Sequence, residues 1–380
     1  MRSNLNQASD PISQRLTSSF LKFGRWKIIP ALTMLGLTQL ASMQGWPTLL
    51  CFIISASGII PIALLLSDAT EEIAEHSGPT IGAITTAVFG NCAEFIIALS
   101  ALRLGLIDVV KASITGAILS DLLLVTGIAM LVGGLKYSEQ KFQETMVRTN
   151  GAAMTLAVMA MALPASLIST SGIDDPIAIH GLSMTVAAIL IVIYFLTLTF
   201  SLATHSHLFD PPHIKHDDVD ALQEEQPINL SIWIIQLIVC TALLAYQSEC
   251  FVHFLEPATE QLGFSALFTG IIIVPIIGGF SEYVPAVKGA WKDQMDLPIS
   301  LAMGSSLLVA LLIAPTLILI GSLIGQPMNL DFTAFEVIAL IFSVLIVNLV
   351  NMDAKSNWLE GVLLLGMFSI FGAAFYYYPT

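Results

Sequence analysis

The stretch PTIGAITTAVFGNCAEFIIALSAL, from Pro79 to Leu102, decides how the rest of the chain is interpreted. Its 24 residues are long enough to cross a bilayer as a helix. One acid, Glu94, lies near its centre, where an ionised carboxylate costs at least about 2.5–3.5 kcal/mol. Gly90 precedes it by one helical turn, and Asn91 adds an amide oxygen. Such oxygens suit a hard cation such as Ca²⁺; the alternative is a packing glycine beside a protonated glutamate.

A second segment, ALFTGIIIVPIIGGFSEYVPAV, repeats this arrangement with Gly278 and Glu282 at the same four-residue spacing. It runs from Ala266 to Val287, and a constant offset of 188 positions relates it to the first segment. At that offset Gly82, Gly90, Glu94, Asp108, Gly116 and Gly133 correspond to Gly270, Gly278, Glu282, Asp296, Gly304 and Gly321. Glycine-broken membrane segments with a central acid at matching positions indicate a transporter site between internal repeats.

The composition places the chain among membrane proteins. Of its 380 residues, 56% are hydrophobic and 11% are charged, and the mean hydropathy is +0.83. Soluble domains carry about 25% charged residues, so a polytopic membrane protein is predicted, with the lipid bilayer and inorganic cations as partners. The net charge of −14 and the lack of a basic patch argue against nucleic acid. A homo-oligomer is compatible with the sequence.

The four cysteines indicate neither a metal centre nor a covalently bound cofactor. They lie in or at the ends of apolar runs without metal-ligand spacing, so they are interpreted as small buried hydrophobic residues. They are Cys51, Cys92, Cys240 and Cys250.

The apolar runs predict an all-α fold with about eleven transmembrane helices. Residues 1–26 form a polar N-terminus, residues 27–45 an extra first helix, and residues 46–204 and 228–380 two five-helix repeats. Residues 205–227 form an acidic, histidine-rich linker. Because matching helices are offset by five spans, an odd number, the second repeat is expected to be inverted relative to the first.

The distribution of basic residues supports this topology with a cytoplasmic N-terminus. Twelve of the fourteen Lys and Arg residues then lie on the cytoplasmic side, and only Arg103 and Lys111 lie outside. The linker is then cytoplasmic and the C-terminus is outside. The compact length favours a prokaryotic plasma membrane.

Two acidic segments lie outside the apolar spans. Glu71, Glu72 and Glu75 follow the second span, where they either concentrate cations at a cytoplasmic mouth or form a solvated turn. The linker is either a solvated connection or a regulatory cation site, and its histidine spacing does not match a zinc motif. Its candidate regulatory residues are Asp217, Asp218, Asp220, Glu224 and Glu225.

These segments resemble the cation/proton exchanger family of the calcium/cation antiporter superfamily. The resemblance extends from about Pro61 to Thr380 and rests on ATEEIAEHSGPTIGAITTAVFGNCAEFIIAL, GAILSDLLLVTG, MDLPISLAMGSS and SNWLEG. It implies exchange of cytoplasmic Ca²⁺, or a similar divalent ion, for protons. The family's GNxxE motif is matched by Gly90, Asn91 and Glu94.

The predicted cation- and proton-binding site combines both repeats. Glu94 and Glu282 are the expected metal ligands, and we expect them to face one cavity at the membrane midplane. Without a bound cation the two carboxylates repel each other, so at least one should hold a proton, whereas bound Ca²⁺ favours the ionised form of both. Proton binding and Ca²⁺ binding then exclude each other, which is what antiport requires. Further oxygen donors are expected from Gly90, Asn91, Ser120, Asp121, Gly278, Gly279, Ser305 and Ser306.

The chain departs from the family pattern at four positions. Gly279 and Tyr283 stand where Asn and His are usual, Leu308 where Gln is usual, and Asp121 where Asn is usual. These changes put the ion preference in question, so a monovalent-cation/proton antiporter on the same fold stays an alternative. An intramembrane hydrolase with paired carboxylates is a more distant one, because no nucleophile motif accompanies the acids. The prediction is a secondary active transporter and not an enzyme.

Overall fold

The computed structural model describes residues 25–171, 175–205 and 230–378. These residues form helices connected by short loops, with one two-stranded ribbon in which β1 (Gln140–Lys141) pairs antiparallel with β2 (Lys355–Ser356). The helices are α1 (Arg25–Gln44), α2 (Thr48–His76), α3 (Pro79–Phe89), α4 (Cys92–Arg103), α5 (Ile107–Gly134), α6 (Glu144–Ser171), α7 (Pro176–Thr204), α8 (Leu230–Leu262), α9 (Ala266–Gly278), α10 (Phe280–Trp291), α11 (Asp296–Ile324), α12 (Ala334–Val350) and α13 (Trp358–Tyr376).

The predicted all-α membrane class is confirmed, whereas the predicted count of eleven spans is not. In the described part of the chain, eight helices are long and apolar enough to cross a membrane, and the bent pair α9–α10 makes a ninth candidate. Helix α1 is not among them, and neither is the pair α3–α4. The polar residues of α1 lower its hydropathy, while α3 and α4 have only 11 and 12 residues each. That α1 and the pair α3–α4 also cross the membrane stays a prediction.

Helix α2 continues through the acidic segment and ends only at His76. The segment is therefore helical, and the solvated-turn interpretation of Glu71, Glu72 and Glu75 is wrong about its conformation. Glutamate has a high helix propensity, and three acids within two turns do not by themselves end a helix.

Buried polar side chains join α1, α2 and α8. The Gln247 side-chain amide of α8 donates to Thr38 Oγ1 of α1 and to the Ser55 carbonyl of α2, both at 2.9 Å. Lys27 of α1 also forms an ion pair with Asp68 of α2, with 2.6 Å between Nζ and Oδ2. In lipid, such hydrogen bonds between helices contribute about 1 kcal/mol each. They attach the extra first helix to the α2–α8 pair.

Three connections that carry basic residues meet at one end of the bundle, namely those after α5, after α10 and before α13. Lys136 Nζ donates to the Trp291 carbonyl at 2.8 Å, and the Gln143 amide donates to Asp296 Oδ1 at 2.6 Å. The β-ribbon pairs Lys141 of β1 with Lys355 of β2, which precedes α13. We call this the basic end; the sequence predicts that it is cytoplasmic.

Candidate functional site

Both predicted glycine-broken helices are present. The first break falls at Gly90 and Asn91, between α3 and α4, and the second falls at Gly279, between α9 and α10, where the helix axes bend by 60°. Glu94 and Glu282 each occupy the third position of the new helix. Helix starts favour a carboxylate, while the last turn of each preceding helix leaves carbonyl oxygens without helical partners. The matching breaks therefore supply two kinds of oxygen.

Glu94 of the first repeat lies against the break of the second. A Cβ at position 279 would lie 3.4 Å from Glu94 Oε1, and a Cβ at position 278 would lie 3.5 Å from Glu94 Cγ. The structure thus brings together Glu94, Gly278 and Gly279, three of the residues that the sequence predicts to share a site.

A hydrogen-bonded chain connects the first break to the acid of the second. Asn91 Nδ2 donates to Ser305 Oγ on α11, and Ser305 Oγ donates to Glu282 Oε1 at 2.6 Å. All three side chains are buried. A single hydroxyl of α11 therefore links the amide of one repeat to the carboxyl group of the other.

Asp121 places a third carboxyl group in the same cluster. It is 4% exposed on α5 and accepts a hydrogen bond from Ser306 Oγ at 3.4 Å, next to Ser305, whose hydroxyl donates to Glu282. Ionised carboxylates that lie close together in a buried site repel one another. The three carboxyl groups therefore favour holding at least one proton in the absence of a cation.

Tyr283 is a site residue that the sequence analysis did not place in the cluster. Its hydroxyl lies 3.0 Å from Ser120 Oγ, so α10 contacts α5 across the repeat boundary. The sequence features that could have identified it were its position directly after Glu282 and its departure from the family pattern.

Two π-helical turns border the cluster at nearly matching positions. One spans Ser120–Val125 in α5, and the other spans Val309–Ile313 in α11, directly after Leu308. A π-helical turn inserts an extra residue and often occurs at functional sites. Each turn changes the direction in which the side chains after it project. The hydrophobic pattern of the sequence did not predict either π-helical turn.

Each glutamate has one oxygen without a partner. Glu94 Oε2 and Glu282 Oε2 are buried and accept no hydrogen bond from any described residue. Leaving a buried acceptor unpaired costs about 1–3 kcal/mol. The two repeat-matched oxygens are the atoms most available to a cation or a proton.

The remaining predicted residues lie apart from this cluster or outside the described residues. One ligand atom each of Glu72, Glu75 and His76 lies within 4.8 Å of the others at the end of α2, and Glu71 is exposed on the same turn but does not belong to that group. The structure does not describe the predicted regulatory residues Asp217, Asp218, Asp220, Glu224 and Glu225.

Comparisons with known proteins identify the family. The profile described as "Sodium/calcium exchanger protein" matches residues 47–203 and 232–377. A Ca²⁺/H⁺ antiporter of Aphanothece halophytica is 45% identical over 373 residues, which cover 96% of this chain and 98% of that protein. The Ca²⁺/H⁺ antiporter ChaA of Bacillus subtilis is 35% identical over 341 residues, covering 90% of this chain and 95% of that protein.

Solved structures agree with these relatives. Native YfkE is 31% identical and superposes with a TM-score of 0.78, covering 92% of this chain and 99% of that one. The H⁺/Ca²⁺ exchanger CAX shares the fold with a TM-score of 0.66 at 16% identity, covering 92% of each chain. The chain belongs to the sodium/calcium exchanger protein family, and within it to the cation/proton exchangers.

Proposed function

We propose that the protein is a secondary active antiporter that exchanges cytoplasmic Ca²⁺, or a similar divalent cation, for protons. The observation that carries this proposal is the pair of buried, unpartnered oxygens, Glu94 Oε2 and Glu282 Oε2, at matching helix breaks of two repeats. Relatives that align over nearly the whole chain are named Ca²⁺/H⁺ antiporters. Those names describe transporters, so transport and not catalysis is the proposed activity.

The cluster contains enough oxygen atoms for a divalent cation. Ca²⁺ takes six to eight oxygen ligands, and the carboxyl groups of Glu94, Glu282 and Asp121 supply up to six atoms. The Asn91 amide oxygen and the backbone carbonyls at the two breaks supply others. Three carboxylates also exceed the charge of one divalent cation, which favours divalent over monovalent cargo.

Protons and the cation compete for the same oxygen atoms. Without a cation, the carboxyl groups of Glu94, Asp121 and Glu282 hold at least one proton, because ionised carboxylates that lie close together repel strongly in a buried site. A divalent cation favours the ionised carboxylates and displaces that proton. Return of protons displaces the cation after the site has opened to the other side. Because the site binds either protons or the cation, transport of one is coupled to transport of the other.

Reconstituted vesicles test this function. Purified protein in proteoliposomes with a trapped pH dye should move protons when Ca²⁺ is added, and less or not at all with Na⁺ or K⁺. Mn²⁺ and Mg²⁺ in the same assay define the divalent preference, and protein-free liposomes control for leak. Proton movement with Na⁺ or K⁺ but not with Ca²⁺ would establish the monovalent alternative. Silence with all five cations would reject antiport by this site.

A further inference from the structure

The first half of the site contains a polar bridge, by which we mean a hydrogen bond from a side chain of a broken helix to a hydroxyl group on the long helix of the other repeat. Asn91 donates to Ser305 of α11, and Ser305 donates to Glu282. At the offset of 188 positions, the counterpart of Asn91 is Gly279. The counterpart of Ser305 is Ala117. Neither counterpart has a polar side-chain atom, so the second break has no bridge at this place.

The second half has its polar bridge one helical turn further along the broken helix. The Tyr283 hydroxyl of α10 lies 3.0 Å from Ser120 Oγ of α5, so that one hydroxyl group donates to the other. The counterparts of these two residues in the first half are Phe95 and Leu308, which are both apolar. The pair of positions that is polar in one half is therefore apolar in the other, and each half keeps one bridge.

The Tyr283 hydroxyl borders the gap that the missing side chain of Gly279 leaves. A Cβ at position 279 would lie 3.4 Å from Glu94 Oε1 and 3.7 Å from the Tyr283 hydroxyl oxygen. Tyr283 follows Gly279 by four residues, and residues at this spacing lie on the same face of a helix. The carboxyl group of the first repeat and the phenol of the second therefore border one gap, with no side chain of residue 279 between them.

Glu94 lacks the hydroxyl donor that Glu282 has. Glu282 Oε1 accepts a hydrogen bond from Ser305, whereas Ala117, the counterpart of that serine, lines the small pocket beside Glu94. Glu94 Oε2 is buried and has no hydrogen-bond partner among the described residues. A phenol hydroxyl can donate to a carboxylate. Tyr283 thus brings to the Glu94 side of the cluster the kind of group that Ser305 brings to Glu282.

Packing of the aromatic ring does not account for the hydroxyl group. The counterpart Phe95 packs against the core with a ring alone. The ring of Tyr283 lies edge-on to that of Phe280, with 5.9 Å between the centroids, and a phenylalanine would keep this contact. The hydroxyl group instead meets Ser120, which is buried. The feature that separates Tyr283 from its counterpart is therefore the polar one.

We propose that Tyr283 is a positioning residue for Glu94 and that its hydroxyl sets the ion preference of the site, in place of the polar pair that the second break lacks. The inference rests on the proposed function, because ion preference is a property of that exchange. A hydroxyl donor beside an ionised carboxylate fixes its orientation toward a bound cation. A divalent cation gains more from a fixed carboxylate than a monovalent one, because its attraction to the carboxylate is twice as strong.

Tyr283→Phe removes only the hydroxyl group. In proteoliposomes we expect the Ca²⁺ concentration for half-maximal flux to rise about tenfold and the Ca²⁺-to-Na⁺ flux ratio to fall, with the rate at saturating Ca²⁺ within about twofold of the wild type. Tyr246→Phe is the matched control, because that hydroxyl donates to Gln39 at an exposed contact between α8 and α1. The control should keep the wild-type ratio. An unchanged ratio in Tyr283→Phe, or an equal shift in both variants, would overturn the proposal.

The variant Ser120→Ala tests whether the two hydroxyl groups act as one bridge. It should shift the half-maximal Ca²⁺ concentration in the same direction as Tyr283→Phe. The double variant should shift it no further than Tyr283→Phe alone, because both changes remove the same interaction. Shifts that add fully in the double variant would show that the two hydroxyl groups act separately, which the proposal excludes.

Cation binding gives a measurement that does not depend on transport. Ca²⁺ should raise the Tm of the detergent-solubilised wild type at an about tenfold lower concentration than it raises that of Tyr283→Phe. If this difference is found but the wild type exchanges no cation for protons, the proposed function is rejected and the role of Tyr283 stands. If the wild type exchanges Ca²⁺ for protons and the two proteins bind Ca²⁺ equally, the role of Tyr283 is rejected and the proposed function stands.

Discussion

At the scale of single residues, Asp121 is the side chain that most changes the charge of the site. It is buried and accepts a hydrogen bond from Ser306, next to the Ser305 hydroxyl that donates to Glu282. The family pattern expects an amide there, which can donate a hydrogen bond but cannot release a proton. The site therefore has three carboxyl groups, one more than the repeat-matched pair Glu94 and Glu282.

The variant Asp121→Asn tests whether that third group takes part in transport. It keeps the size of the side chain and removes one ionisable group, so we expect Ca²⁺-driven proton flux to fall about tenfold. Ser306→Ala is the matched control because it removes only one neutral hydrogen bond, and a loss of no more than about fivefold is expected. The initial rate and the Ca²⁺-to-Na⁺ ratio should be measured together. If the Asp121→Asn protein kept the wild-type rate and the wild-type Ca²⁺-to-Na⁺ ratio, Asp121 would have no role in transport beyond supporting the structure.

At the scale of elements, the two breaks are not equally polar. The break at Asn91 faces Ser305, whereas the counterparts of these two residues at the offset of 188 are Gly279 and Ala117. The second break therefore lacks both the amide and the hydroxyl group. Ala117 lines a small pocket beside Glu94, so a hydroxyl group at that position would lie near the site.

Rebuilding the missing pair should increase the preference for Ca²⁺. The double variant Gly279→Asn with Ala117→Ser is expected to raise the ratio of Ca²⁺ flux to Na⁺ flux about threefold, because a Ca²⁺ site gains from each added oxygen. Gly279→Asn alone should gain less. Its Cβ would lie 3.0 Å from the Pro275 carbonyl oxygen and 3.4 Å from Glu94 Oε1, and its amide would have no hydroxyl partner. A double variant with the wild-type ratio would refute the idea that the second break limits selectivity.

The elements of the site were predictable from the sequence to the extent that they are local. An acid in an apolar run and a glycine one turn before it occur twice at one offset, and this pattern predicts both breaks and the pairing of Glu94 with Glu282. The contact of Tyr283 with Ser120 and the two π-helical turns depend on how the helices pack. No local pattern in the sequence encodes them, because the partner lies about 160 residues away along the chain.

At the scale of the whole molecule, the sequence predicts that residues 205–227 form a polar linker between the two repeats. A segment this polar is not expected to line a midplane site, so we expect it to tune transport and not to perform it. Replacing His205–Pro227 by a neutral flexible linker of equal length should shift the Ca²⁺ concentration for half-maximal flux by about two- to fivefold, because its acids no longer attract cations. Complete loss of flux in a folded variant would show that the linker is part of the transport machinery.

The central claim is that two repeat-matched carboxyl groups bind the cation and the protons in turn. The most direct measurement is Ca²⁺ uptake driven by a pH gradient in proteoliposomes that contain the wild type, Glu94→Gln or Glu282→Gln. Gln keeps the size and removes the ionisable oxygen pair, so each single variant should lose at least about 100-fold in rate while the wild type takes up Ca²⁺. Wild-type uptake by both Gln variants would contradict the account and place the exchange site elsewhere in the protein.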